Sequence, residues 1–156
     1  MKNTPAPGLQ VSHWFNTEHP IVLTDLLGKV VLIEAFQMLC PGCVSHGLPQ
    51  ALRVADTFGR DDVVVLGLHT VFEHHEAQGT REALAAFLHE YRIHFPVGID
   101  APSAAGSLPR TMSAYGMQGT PTLILIDRNG RLRKQQFGSQ QDLALGAEIM
   151  ALIKET

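Results

Sequence analysis

The chain has 156 residues, 45% of them hydrophobic and 17% charged, with a formal net charge of -3. At this length folding buries roughly two-thirds of the surface the unfolded chain exposes, so one core suffices and no disulfide staple is required. The slight net acidity gives no electrostatic basis for nucleic-acid binding, and no apolar run approaches the length of a membrane span.

The N-terminal segment "MKNTPAPGLQVSHWF" is polar and proline-rich and lacks the apolar region of a signal peptide. The expectation is a cytoplasmic chain as written, periplasmic or secreted if a leader was removed. Residues 1–20 read as an extension, with Trp14 and Phe15 packing, on a single domain spanning 1–156 whose core covers about 21–153.

Val30 to Phe36, "VVLIEAF", reads as a buried strand. After Pro41, which suits a first helical turn, Val44, Leu48, Ala51, Leu52, Ala55 and Phe58 recur at helical spacing. "DVVVLGLH" (62–69) is a second buried strand, a polar loop runs from Thr70 to Gly79, and Ala83, Leu84, Phe87, Leu88 and Tyr91 mark a second helix. "FPVGID" (95–100) is a short strand, followed by a loop containing Pro102, Gly106 and Pro109. Thr122 to Ile126 then form an apolar strand, joined by "RNG" to the more polar "RLRKQQF" as an antiparallel hairpin with its second strand near an edge. The basic residues Arg128, Arg131, Arg133 and Lys134 on this hairpin read as solvated. Ser139 and Asp142 suggest a capped start for a last helix carrying Leu143, Ala147, Ile149, Met150 and Ile153. This alternation predicts an α/β fold with a mixed central sheet and helices on both faces, because parallel strand pairs need crossover helices.

The only two cysteines, Cys40 and Cys43, stand where the first strand passes into the first helix. A thiolate is the nucleophile of disulfide exchange, and a helix N-terminus lowers a thiol's pKa through its unpaired N–H groups and dipole. Cys43, three residues on, lies close enough to close a disulfide and resolve a mixed one formed on Cys40. A zinc site would need two more cysteines or suitably spaced histidines, so no metal is expected. Two inert apolar cysteines would also leave Pro41-Gly42 at such a junction unexplained.

The runs "LLGKVVLIEAFQMLCPGC" and "GTPTLILIDRNGRL", with the element order between them, resemble the thioredoxin fold and within it the TlpA/ResA-like thiol-disulfide oxidoreductases (redoxins). The resemblance spans about Leu23 to Ile153 and implies a three-layer thioredoxin-like sandwich. It implies Cys40 as the exposed nucleophile and Cys43 as the resolving thiol. Pro121 matches the family's cis-proline, leaving the backbone of Thr120 free to pair with an extended substrate; Leu39, Pro41 and Gly42 complete the implied substrate surface. Glu34, six residues before Cys40 in an apolar strand, matches a buried aspartate of thioredoxins. There a carboxyl would have a raised pKa and either exchange a proton with Cys43 or serve as a structural carboxylate.

The departures are specific. Leu39 stands where thioredoxins have tryptophan, Pro49 falls six residues after Cys43 rather than five, and the dipeptide is Pro-Gly. The run "VVLGLHTVFE" (64–73) also resembles the thioredoxin-like domains of DipZ-type proteins; the histidines of the overlapping segment "HTVFEHHEAQG" (69–79) read as a solvated loop, and His46 as a residue on the outer helix face.

The function implied is a monomeric thiol-disulfide oxidoreductase without cofactor, acting on protein thiols or disulfides and coupled to an upstream electron donor or acceptor. One alternative is a thiol peroxidase of the peroxiredoxin type. Its nucleophile requires Pro-x-x-x-Thr-x-x-Cys, whereas Ile33 and Gln37 precede Cys40, and Phe36 and Cys40 precede Cys43. The other is a non-catalytic module that keeps the fold and holds a partner or a metal.

Overall fold

The computed structural model describes residues 3–155. In its first half these form β1 (Thr4–Pro5), β2 (Val11–Phe15), a 3-10 turn (Leu23–Leu26), β3 (Val30–Phe36), a π turn (Cys43–Gly47), α1 (Leu48–Thr57) and β4 (Val63–His69). There follow α2 (His75–Gln78), α3 (Arg81–Glu90), β5 (Val97–Asp100), α4 (Arg110–Tyr115), β6 (Thr122–Ile126), β7 (Arg131–Phe137) and α5 (Asp142–Lys154).

The strands form one mixed sheet in the order β1-β7-β6-β3-β4-β5-β2. β3 lies at its centre, parallel to β4 and antiparallel to β6, and all seven of its residues are buried. That explains its near-continuous apolar sequence, since a strand covered on both faces has no reason to alternate. Its side chains still divide by parity. Val30, Leu32 and Phe36 join the core under α1, α3 and α5, while Val31, Ile33 and Ala35 join the core against α4. Glu34 shares the parity of Leu32 and Phe36, so its side chain is directed at the helix that carries the cysteines.

Three local readings are corrected. β2, in the N-terminal extension, is a strand that pairs with β5, with Trp14 packed on one core and Phe15 on the other. Its alternation was too weak to detect, because a half-exposed edge strand buries little. The loop after Pro102 leads into α4, whose first amides, Thr111 N and Met112 N, donate to the Asp100 carboxylate at 2.7 and 2.9 Å. That cap comes from ten residues upstream and leaves no local signal. Finally, no side chain caps α5; the Asp142 carboxylate instead accepts from Gln50 and Arg53 of α1, and Ser139 gives its carbonyl to Gln136.

Of the hairpin cations, Arg128 and Arg131 are exposed as expected, while Arg133 and Lys134 are partly covered. Arg133 pairs with Asp127 and Glu155, and Lys134 with Glu148 at 2.7 Å.

Candidate active site

Strand β3 ends at Phe36, and four residues later Cys40 opens the helical segment. Cys40 and Cys43 are joined in a disulfide with Cα atoms 5.2 Å apart. The Cys43 N–H donates to Cys40 Sγ at 3.2 Å, and Val44 N–H to the Cys40 carbonyl at 3.1 Å. Cys43 is fully buried and Cys40 retains 8% of its surface, so the resemblance's "exposed" sulfur is the more accessible of two largely covered ones.

The helix is irregular just past Cys43. Leu48 N–H bonds the Cys43 carbonyl five residues back, a π turn, and Pro49 follows. Proline has no N–H to give, and its ring collides with the carbonyl four residues earlier in a regular helix; one wider turn relieves that conflict. The π turn thereby takes up the extra residue between Cys43 and Pro49.

It also brings Gly47 down onto the sheet. A Cβ there would overlap the Glu34 carboxyl and approach Pro121 Cβ to 3.1 Å, while a Cβ on Gly42 would lie 3.4 Å from Pro121 Cδ. Pro121 is thus wedged between the CxxC dipeptide and the π turn, and its peptide bond to Thr120 is cis. Glu34 is buried, its Oε1 has no hydrogen-bond partner, and desolvation raises its pKa well above the ordinary carboxyl range.

Around this centre lie the other expected residues. Leu39 is exposed at 53%, Pro41 is exposed and Gly42 half-buried. Thr120 is half-buried and borders Pro121. Phe137, also 53% exposed, packs its ring against Gly119, which precedes Thr120. This aromatic edge was not anticipated, because only the β6–β7 register, with Phe137 opposite Thr122, places it there.

The histidine-rich segment divides. His74, His75 and Glu76 are exposed, as a solvated loop would have them, but His69 and Gln78 are buried and the loop contains the short helix α2. His69 stacks near Phe36 with ring centroids 5.2 Å apart, and burial lowers its pKa to about 4. Among the described residues no cluster of three His, Cys, Asp or Glu side chains could hold a metal ion. His46 is not a free surface residue: its Nε2 lies 3.0 Å from the Gln140 carbonyl, joining the π turn to the segment before α5.

The family model for AhpC/TSA proteins matches residues 3–135. Two solved structures cover nearly the whole chain. A thioredoxin-like superfamily protein, SPOA0173, is 59% identical with a TM-score of 0.95, and 98% of each chain is covered. A thiol-disulfide isomerase from Corynebacterium glutamicum is 47% identical with a TM-score of 0.93, and 99% of each is covered. The thiol-disulfide oxidoreductase ResA of Bacillus thuringiensis is 28% identical over 120 residues, 77% of this chain. The chain spans 61% of that protein's length and 15% of another curated relative's. The fold is therefore thioredoxin-like, as its sheet and helices already indicate.

Proposed function

The chain belongs to the AhpC/TSA family, and on that footing we propose that it is a thiol-disulfide oxidoreductase exchanging the Cys40/Cys43 dithiol or disulfide with protein substrates. One observation carries the reading: a cysteine pair at the first turn of a helix, already in disulfide linkage, with a buried carboxyl beneath the helix and Pro121 beside it.

In the reducing direction the Cys40 thiolate attacks one sulfur of a substrate disulfide. A Cys40–substrate bond forms and the other substrate sulfur leaves as thiolate. Cys43, giving its proton toward Glu34, then attacks Cys40 Sγ; the Cys40–Cys43 bond forms and the second substrate thiolate departs. Two electrons pass from the pair to the substrate. The amide of Cys43, which donates to Cys40 Sγ, is placed to stabilise the thiolate. Substrate backbone pairs with Thr120 beside Pro121, while Leu39 and Phe137 supply an apolar rim, and Pro41 and Gly42 the floor.

The partners of this reading are protein thiols and a donor or acceptor that resets the pair. No helix among the described residues is long and apolar enough to cross a membrane. The reduction potential decides the direction: a value near about -270 mV would make the pair a reductant, one near about -120 mV an oxidant.

Insulin reduction supplied with a dithiol tests the proposal. The wild-type chain should turn over, Cys40→Ser should be inactive, and Cys43→Ser should accumulate a mixed disulfide. Retained turnover in Cys40→Ser defeats the assignment.

A further inference from the structure

The turn from Phe36 to Cys40 is held by side chains from outside it. His69 Nε2, at the end of β4, accepts the Met38 N–H at 3.4 Å, and Gln78 Oε1, at the end of α2, accepts the Leu39 N–H at 2.9 Å. Two successive amides just ahead of the nucleophile are therefore fixed from the neighbouring strand and its loop. The Gln78 amide nitrogen in turn donates to Gln37 Oε1 at 3.1 Å and to the Glu73 carbonyl at 2.8 Å. Gln37 Oε1 accepts a second bond from Phe72 N–H at 3.2 Å. Its Nε2 lies 3.3 Å from Thr120 Oγ1 and 3.4 Å from Glu73 Oε1.

Gln37 and Gln78 are among the most buried polar residues of the chain, at 0% and 1% exposure. Every oxygen and nitrogen of the two carboxamides has a partner. Burying polar groups costs free energy that such pairing only recovers, and an apolar pair of the same shape would hold a core at least as well. What apolar side chains could not do is join Leu39, Thr120 and the 72–78 loop at fixed distances.

We propose that Gln37 and Gln78 are positioning residues that lock the two walls of the substrate cleft, the Leu39 side and the Thr120 side, to each other through the Thr70–Gly79 loop. The proposal rests on the reading of Leu39 and Thr120 as substrate-facing. Holding both walls in advance spares a bound peptide the cost of ordering them, which appears as affinity rather than as chemical rate.

The test uses the full chain. Gln78→Met keeps the side-chain length but removes the acceptor for Leu39 and the donor to Gln37. KM for insulin should rise about tenfold while kcat stays within about twofold. In the same variant, amide hydrogen exchange at Leu39 should accelerate at least about tenfold. Unchanged KM, or a fall in kcat at constant KM, overturns the proposal, as does unchanged Leu39 exchange.

Should Gln78→Met fail to fold, the cycle of Gln37→Met with Thr120→Val takes its place. Thr120→Val removes the bond from Gln37 Nε2, and Gln37→Met removes that same bond together with those to Phe72, Gln78 and Glu73, so the two effects on kcat/KM should be strongly non-additive. Additive effects overturn the proposal. Wild type inactive on insulin, or an active Cys40→Ser, would be a failure of the oxidoreductase reading instead, and the Leu39 exchange measurement would still decide the clamp.

Discussion

The Glu34 carboxyl occupies the space that a Cβ on Gly47 would need, and the helix comes this close to β3 only because position 47 has no side chain. The backbone there is ordinary right-handed helix, with φ -60° and ψ -55°, so conformation does not require glycine. In a helix interior Gly→Ala normally stabilises by about 1 kcal/mol. At position 47 the sign should reverse, with a loss of about 1–3 kcal/mol from overpacking against Glu34 and Pro121. Urea unfolding of Gly47→Ala measures it. Placing Glu34→Asp in the same background shortens the carboxyl and should recover part of the loss; an equal loss with and without Glu34→Asp would remove the contact as its cause.

Two buried titrating groups near the site bend the stability profile in opposite directions. Glu34 has a folded pKa raised by desolvation, so its contribution is intact below the unfolded carboxyl range and is lost as pH rises through the folded pKa. His69 has a folded pKa lowered from 6.5 to about 4, so its contribution is intact above 6.5 and is lost as pH falls through that window. The His69 effect amounts to roughly 3 kcal/mol at the acid end, on the scale of about 1.4 kcal/mol for each pH decade. Stability should therefore peak in mildly acid solution. Glu34→Gln should raise Tm above neutrality and leave it nearly unchanged at pH 4. A Tm gain that is the same at both pH values would refute the burial of an ionisable carboxyl as its source. In turnover, Glu34→Gln should slow resolution by about a hundredfold if the carboxyl carries the proton.

Much of this arrangement is legible in the sequence, and the failures have a common physical form. β3, β4 and β6 announce themselves because central strands are apolar throughout, and β6 begins and ends where Pro121 and Asp127 bound it. The CxxC and Thr120-Pro121 are recognisable because each is a local motif. Gln37 and Gln78 are not: a glutamine between Phe36 and Met38, and another before Gly79, carry no pattern until the fold sets β3 and β4 side by side. The histidines at 74 and 75 drew attention in the same segment by their density, yet they are exposed while the unremarked Gln78 is buried. Similarly, Phe137 ends a polar strand, and its proximity to Gly119 depends on hairpin register. Long-range partnership is what a single sequence conceals.

The apolar rim gives a prediction about substrates. Leu39 and Phe137 are each half exposed, so removing either costs little in the core, and Leu39→Ser or Phe137→Ser should shift Tm by less than about 3 °C. If they meet substrate, each should raise KM for insulin by about three- to tenfold, the value of a partly buried apolar contact. Reduction of a small soluble disulfide, which cannot reach both, should change less. Equal effects on the two substrates would mean that the rim does not contact protein.

Hydrogen peroxide consumption tests the thiol peroxidase alternative. A peroxidatic thiol is served by a hydroxyl three residues upstream, where this chain has Gln37 in front of Cys40. That side chain is committed on all sides, to Phe72, Gln78, Glu73 and Thr120, and its nearest hydroxyl is the one on Thr120, which is directed at Gln37 itself. Nothing on that side of the turn is arranged to orient a peroxide against Cys40. The reduced protein should therefore consume hydrogen peroxide no faster than a simple thiol of the same pKa, followed by the loss of thiols under excess peroxide. Gln37→Thr should not change that rate, because a hydroxyl supplied at position 37 would stand in the clamp behind Leu39. A rate in wild type far above that of a simple thiol would restore the peroxidase reading and make Cys43 its resolving thiol.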